Sequence, residues 1–203
     1  MKHILALFLV VLLVSCNQGK QPVLGDTAWQ REQNANFKDA SKSPLTDKDR
    51  KNFKGLAFFK MDSAYVVQAR LTRTPDTPWF KMKTTTERLS EERVYGTIEF
   101  KLHGEIYKLN VYQGKEMMAK PGYEDYLFLP FLDDTNGETT YGGGRYLDLR
   151  IPENDVITVD FNKAYNPLCA YNEAYSCPIV PRANYVSTEV KAGVMAYKKQ
   201  LFY

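Results

Sequence analysis

The chain predicts a mainly β fold, an α+β arrangement in which an antiparallel β-sandwich or barrel carries short helices at its N-terminus. Three observations point to it. From Ala57 onward apolar residues recur at every second position rather than at helical spacing. The alternating runs are short and are separated by clusters of Pro, Asp, Asn and Gly, which form turns. No long helical pattern lies between them, although a parallel sheet needs such crossovers.

The first residues read as an address. Lys2 is a positive n-region, and Ile4 to Val14 is an almost unbroken apolar run, too short for a comfortable span and suited to a signal-peptide core. The run ends at Leu13-Val14-Ser15-Cys16, which resembles a bacterial lipobox, whose cysteine is acylated and becomes the mature N-terminus. The expected organisation is a signal peptide over 1–15, a lipidated tether over 16–25 with Cys16 as lipidation site, and one mainly β domain over 26–203. The expected partner of the N-terminus is a membrane, reached through the lipid. The expected location is the bacterial cell envelope, on the outer membrane facing the periplasm, because no acidic run follows Cys16.

Asp26 to Ala40 is the first helix candidate, with Thr27 and Gln30 spaced as a capping box. Thr46 can cap a second, short helix with Asp47 and Asp49 in its first turn, and Gly55 can stop it. Strands are then expected at Tyr65 to Leu71 and Phe80 to Arg88. Ile98 to Leu102 and Tyr107 to Val111 flank Gly104 as the clearest hairpin. Further strands are expected at Tyr126 to Leu132, Arg145 to Ile151 and Val156 to Phe161. Pro152-Glu153-Asn154-Asp155 makes a tight connection between the last two. A final strand is expected over Glu189 to Tyr197.

Composition narrows function. The formal charge is only +3, which leaves no electrostatic footprint for nucleic acid. No nucleophile elbow, metalloprotease pair or nucleotide fingerprint is present. Asp134, Asn136 and Glu138 alternate as calcium ligands do, but the glycine is misplaced and no distal Glu follows, so no metal site and no cofactor is expected.

The unusual residues gather between Tyr126 and Cys177. The runs Phe131-Leu132-Asp133-Asp134-Thr135-Asn136-Gly137 and Thr140-Tyr141-Gly142-Gly143-Gly144-Arg145-Tyr146-Leu147 resemble the bacterial family called domain of unknown function 1684. So do Asp160 to Pro167 with Cys169, Cys177-Pro178, and Pro181-Arg182-Ala183-Asn184. The resemblance implies a shared fold and site and supplies no reaction. Leu132 and Leu168 depart from its usual pattern.

Candidate binding or catalytic residues are Asp133, Tyr141, Arg145, Asp160, Asn162, Tyr165, Asn166 and Asn184. Each has a structural reading beside the functional one. Arg145 either clamps an anionic or sugar ligand or pairs internally with Asp160 or Asp133. The three glycines before it form either a close approach for a ligand or a sharp turn. Asp160, Asn162 and Asn166 either rim a site or fold their own loop. Cys169 and Cys177, outside the cytoplasm, are expected to form a disulfide. The leading expectation is an envelope protein that binds a small molecule, glycan or peptide at a Tyr-, Asn- and Arg-rich loop site. The competing ones are a hydrolase using Asp160 or Asp133 with Arg145, and a structural or protein-docking module.

Overall fold

The structure is a computed structural model, and it describes residues 24–197. The leader, Cys16 and most of the tether lie outside the described residues. Helix α1 (Ala28–Lys38) starts where the sequence places it: Thr27 Oγ1 accepts from Gln30 N–H, and Gln30 Oε1 accepts from Thr27 N–H. Helix α2 (Asp47–Lys51) is capped by Thr46. Among the described residues no helix is long and apolar enough to cross a membrane.

The strands are β1 (Val66–Arg73), β2 (Phe80–Lys83), β3 (Leu89–Leu102), β4 (Glu105–Gly114), β5 (Tyr126–Asp133), β6 (Arg145–Arg150), β7 (Val156–Asp160) and β8 (Tyr185–Val186). A short helix, α3 (Lys115–Met118), follows β4 directly. The expected hairpin is β3–β4. His103 and Gly104 both take positive φ, the type I′ geometry whose twist matches paired strands.

The sheet runs β6-β5-β4-β3-β1-β7 with antiparallel neighbours throughout; β2 adds to β3, and β8 lies parallel to β5. Five strand spacings would set the two edge strands ~24 Å apart in a flat sheet. The connection 151–155 must span from the end of β6 to the start of β7, and so short a chain reaches at most ~21 Å. The sheet therefore curls into a half-barrel. Thus β6 and β7 are joined by a short link yet stand at opposite ends of the sheet rather than pairing with each other. Arg73 ties the link down, donating to the carbonyls of Pro152 and Asn154 and pairing with Asp155.

Alternation decides what each face holds. Val67, Ala69, Leu71, Ile98, Phe100, Leu109, Leu127, Leu129, Phe131, Leu147 and Val159 point into the curl and form the main core. Each of these side chains other than Ala69 contributes roughly 1.5–3 kcal/mol. The opposite face of β5 and β6 carries Tyr126, Phe128 and Tyr146, which pack with Met82, Tyr112 and Val180. A third cluster joins α1 to the later loops through Phe37, Leu45, Leu56, Phe58, Tyr171 and Val194.

One expected strand is replaced. Glu189 to Tyr197 forms no strand; its one bridge is Val194 to Phe58, and β8 forms upstream instead. Val190, Ala192 and Val194 are buried in alternation, as the sequence implied, but the carbonyls of Val190 and Ala192 accept from the Arg145 guanidinium rather than from a neighbouring strand.

Candidate functional site

Inside the curl, Arg145 and Asp133 form an ion pair at 2.8 Å with both side chains fully buried. Arg145 also donates to the carbonyls of Val190 and Ala192, and its guanidinium lies 5.2 Å from the Phe131 ring centre. Burial lowers its pKa, and Asp133 opposes that shift. Asp133 further accepts from Thr135 N–H, the Thr135 hydroxyl and Val190 N–H. This pair is closed on itself, with no face for a ligand. Gly144, just before Arg145, has φ +88°, and a Cβ there would lie 2.7 Å from the Phe131 carbonyl oxygen. The glycine run is a turn that brings Arg145 under the sheet; Gly144 N–H donates to Tyr141 O.

Other candidates hold the backbone. Asp160 Oδ1 accepts from Asn162 N–H and from its side-chain amide. Asn162 in turn bonds both the N–H and the carbonyl of Asp62, 100 residues away. Asn184 is buried between β4 and β5, where Pro130 offers no N–H. It accepts from Asn110 N–H and donates to the carbonyls of Asn110 and Pro130. Tyr141 sits half-buried with its hydroxyl 3.9 Å from Cys169 Sγ, and burial pushes its pKa up to about 12.

The expected disulfide is not formed. Cys169 and Cys177 are free thiols, and Cys169 N–H donates to Cys177 Sγ at 3.2 Å. The Cys177 sulfur is thus engaged with the backbone of the short turn that carries Cys169. Hydrogen bonds from the Cys177 thiol and Tyr141 lower the Cys169 pKa to about 6, and the same contact together with burial pushes Cys177 up.

Two candidates, Tyr165 and Asn166, do converge on a cavity, on the outer face of the sheet. It has a volume of about 510 Å³, within the range of small-molecule sites. Helix α1 contributes Trp29, Gln33 and Phe37; β5 and β6 contribute Tyr126, Phe128, Tyr146 and Asp148. Ser90 and Glu92 enter from β3, and Gly114, Glu116 and Met117 from the β4–α3 junction. Cys177 also lines it.

The 165–166 loop is placed by backbone pairing of Tyr165 with Tyr146. Tyr165 and Tyr126 both donate to Asp148 Oδ1, at 2.5 and 2.7 Å. Burial raises both phenol pKa values, and the Asp148 charge adds to it. Asn166 donates to Tyr171 Oη and to the Met195 carbonyl, but no described group donates to its buried Oδ1. Glu92 is 5% exposed. Its Oε1 accepts from the Ser90 hydroxyl at 2.6 Å, while no described group donates to its Oε2. Burial raises the Glu92 pKa.

Sequence reasoning missed Glu92, Asp148, Tyr126 and Tyr146. A signal for three of them is present. Strand β5 is apolar at nearly every position, so both its faces are covered. Across β6, Tyr146 and Asp148 alternate with Arg145, Leu147 and Leu149. Nothing in the sequence marks Glu92 among its charged neighbours Glu91 and Arg93.

Comparison with known proteins gives a family and a fold relative. A family model described as protein of unknown function (DUF1684) matches residues 51–195. That span includes Glu92, Asp148, Tyr165 and Asn166 and leaves out α1. The chain is similar to a solution NMR structure of an uncharacterized protein from Haloarcula marismortui, with 33% identity over 82% of this chain and 89% of that one, at a TM-score of 0.64. No curated protein matches the chain.

Proposed function

The chain belongs to this family of unknown function, and from that premise we propose that it binds a small molecule in the outer-face pocket, without breaking bonds in it. The observation that carries the reading is that two residues lining one aromatic-walled cavity, Glu92 and Asn166, each hold a buried oxygen, Oε2 and Oδ1, to which no described group donates. A buried acceptor left unmade costs about 1–3 kcal/mol. A ligand with hydroxyl or amine donors recovers that cost, and flat aromatic walls suit the apolar faces of a sugar or peptide side chain. Thermal-shift measurements against saccharides, amines and short peptides test this, with Met117→Trp as a variant that fills the cavity. At least one class should stabilise the wild type, and the variant should lose the effect. Absence of any binder, or binding that Met117→Trp leaves intact, would contradict it.

The competing reading is a hydrolase, and Glu92 is the observation that favours it: a buried carboxyl with raised pKa in a cleft is suited to general acid work. Turnover of a chromogenic ester or glycoside that disappears in Glu92→Gln would replace the binding reading with this one. The proposed location is the cell envelope, through acylation of Cys16. Cys16→Ala should abolish labelling by radioactive palmitate; unchanged labelling would remove the anchor.

A further inference from the structure

We infer that the Glu92 corner of the pocket is a cation subsite, which takes an ammonium or guanidinium group of the ligand. The inference rests on the binding reading above and adds the chemical class of the ligand. Four observations carry it. Glu92 lines the pocket, its Oε1 is occupied by the Ser90 hydroxyl, and its Oε2 is buried with no donor among the described residues. On β4 the residue paired with Glu92 is Gly114. A Cβ at Gly114 would stand 2.9 and 3.0 Å from the two carboxylate oxygens, so the glycine keeps open the ground on which the carboxylate lies. Of the three cations lining the pocket, Arg88, Lys120 and Lys163, Arg88 is the one that acts on Glu92, yet its guanidinium is committed elsewhere: to the Ser176 hydroxyl and carbonyl, each at 3.2 Å, and to Glu116 at 3.5 Å. Finally, the rings of Tyr126 and Phe128 line the same cavity, and aromatic faces attract cations.

A hydroxyl donor would fill the vacant position but leave the charge unbalanced. Burial without a full counter-charge disfavours the carboxylate, so the empty site holds its proton to a higher pH than an ordinary glutamate does. The groups acting on Glu92 are few. Burial and Glu116 raise its pKa, while Ser90 and Arg88 lower it. Tyr112 from β4 and Tyr126 from β5 feel its charge, and both are neutral phenols with raised pKa values. The ionised form of Glu92 is the one that binds a cation, so below its titration binding releases a proton. Affinity for amines should therefore rise with pH through the Glu92 titration and then level off.

Calorimetry on the mature chain tests this with two matched pairs, phenethylamine against 2-phenylethanol and benzylamine against benzyl alcohol. Amines should bind about tenfold or more tightly than the alcohols at pH 8. The preference should shrink towards pH 4. Glu92→Gln should remove the preference and its pH dependence while leaving alcohol affinity in place. Gly114→Ala, which keeps the carboxyl but crowds it, should reduce the preference as well. Equal binding of amine and alcohol, an amine preference that survives Glu92→Gln, or no amine binding would overturn the inference. Where the alcohols still bind, the pocket reading stands and only the cation subsite falls. Where nothing in the wider panel binds either, both fall.

Discussion

Strands β5 and β6 carry charged or polar side chains on both faces, and the two faces use them differently. On the inner face Arg145 and Asp133 meet inside the main core, and nearly every polar atom of the pair finds a partner; only Arg145 Nε lacks one. On the outer face Asp148 gathers two phenol hydroxyls, while Glu92 and Asn166, which line a cavity, each keep one buried oxygen without a donor among the described residues. A saturated buried pair fixes structure, whereas residual hydrogen-bonding capacity facing a cavity suits recognition. The contrast also separates kinds of mutational effect. Inner-face changes should cost stability, and outer-face changes should alter binding at little cost to the fold.

The largest effect is expected on the inner face. Arg145→Met leaves Asp133 as a buried carboxylate without its cation and should destabilise the protein by about 3–5 kcal/mol in urea denaturation. A loss below about 1 kcal/mol would mean that the pair does not hold the core. Next comes Gly144→Ala, which puts a side chain at φ +88° and against the Phe131 carbonyl. It should cost about 2 kcal/mol or more by the same measurement.

Outer-face effects are smaller and depend on pH. The Glu92 pKa in the fold lies above its ordinary value of 4.5. Between those two values the folded chain holds a proton that the unfolded chain has released, so stability falls as pH rises through that window and then levels off. Below it the contribution is fully present. Glu92→Gln should flatten this slope and equal or exceed the wild type above the window. A wild-type stability curve that rises from pH 4.5 upward, relative to the variant, would contradict the burial of Glu92. The smallest effect concerns the thiols. Cys169 is half-buried with a lowered pKa and Cys177 is buried with a raised one, so iodoacetamide should modify Cys169 first at pH 7. Modification of Cys177 first would reverse the assignment.

The fold was largely legible because its signals are local. The Thr27–Gln30 capping box, the alternation from Ile98 to Leu102 and the turn at His103–Gly104 each lie within a few residues. Glu189 to Tyr197 alternates like a strand, yet the carbonyls of Val190 and Ala192 are taken by Arg145 from 45 and 47 residues away, and the residues after them bond to the backbone of separate segments at 57–59, 139 and 164. Sequence spacing cannot show that substitution. The site was less legible for a related reason. Arg145, Asp133 and the glycine run stand out because polar and flexible residues interrupt apolar strands, and in this fold they serve the core. Glu92 and Asp148 look like ordinary solvent-facing positions of alternating strands. Asp148 is indeed exposed, and its role comes from the two phenols that reach it; the burial of Glu92 is a tertiary fact with no local mark. Tyr165 and Asn166 were reached through their loop composition, and backbone pairing with Tyr146 is what turns that loop onto the pocket.

The most direct test of the two-face contrast is chemical-shift mapping of a fragment library of amines, polyols and short peptides on uniformly ¹⁵N-labelled protein. The perturbed amides should cluster at residues 88–92, 114–117, 126–128, 146–148 and 163–166, around Glu92, Asp148 and Asn166. Perturbations centred instead on residues 133–145 and 190–192, around Arg145, would move recognition to the inner face and contradict the account.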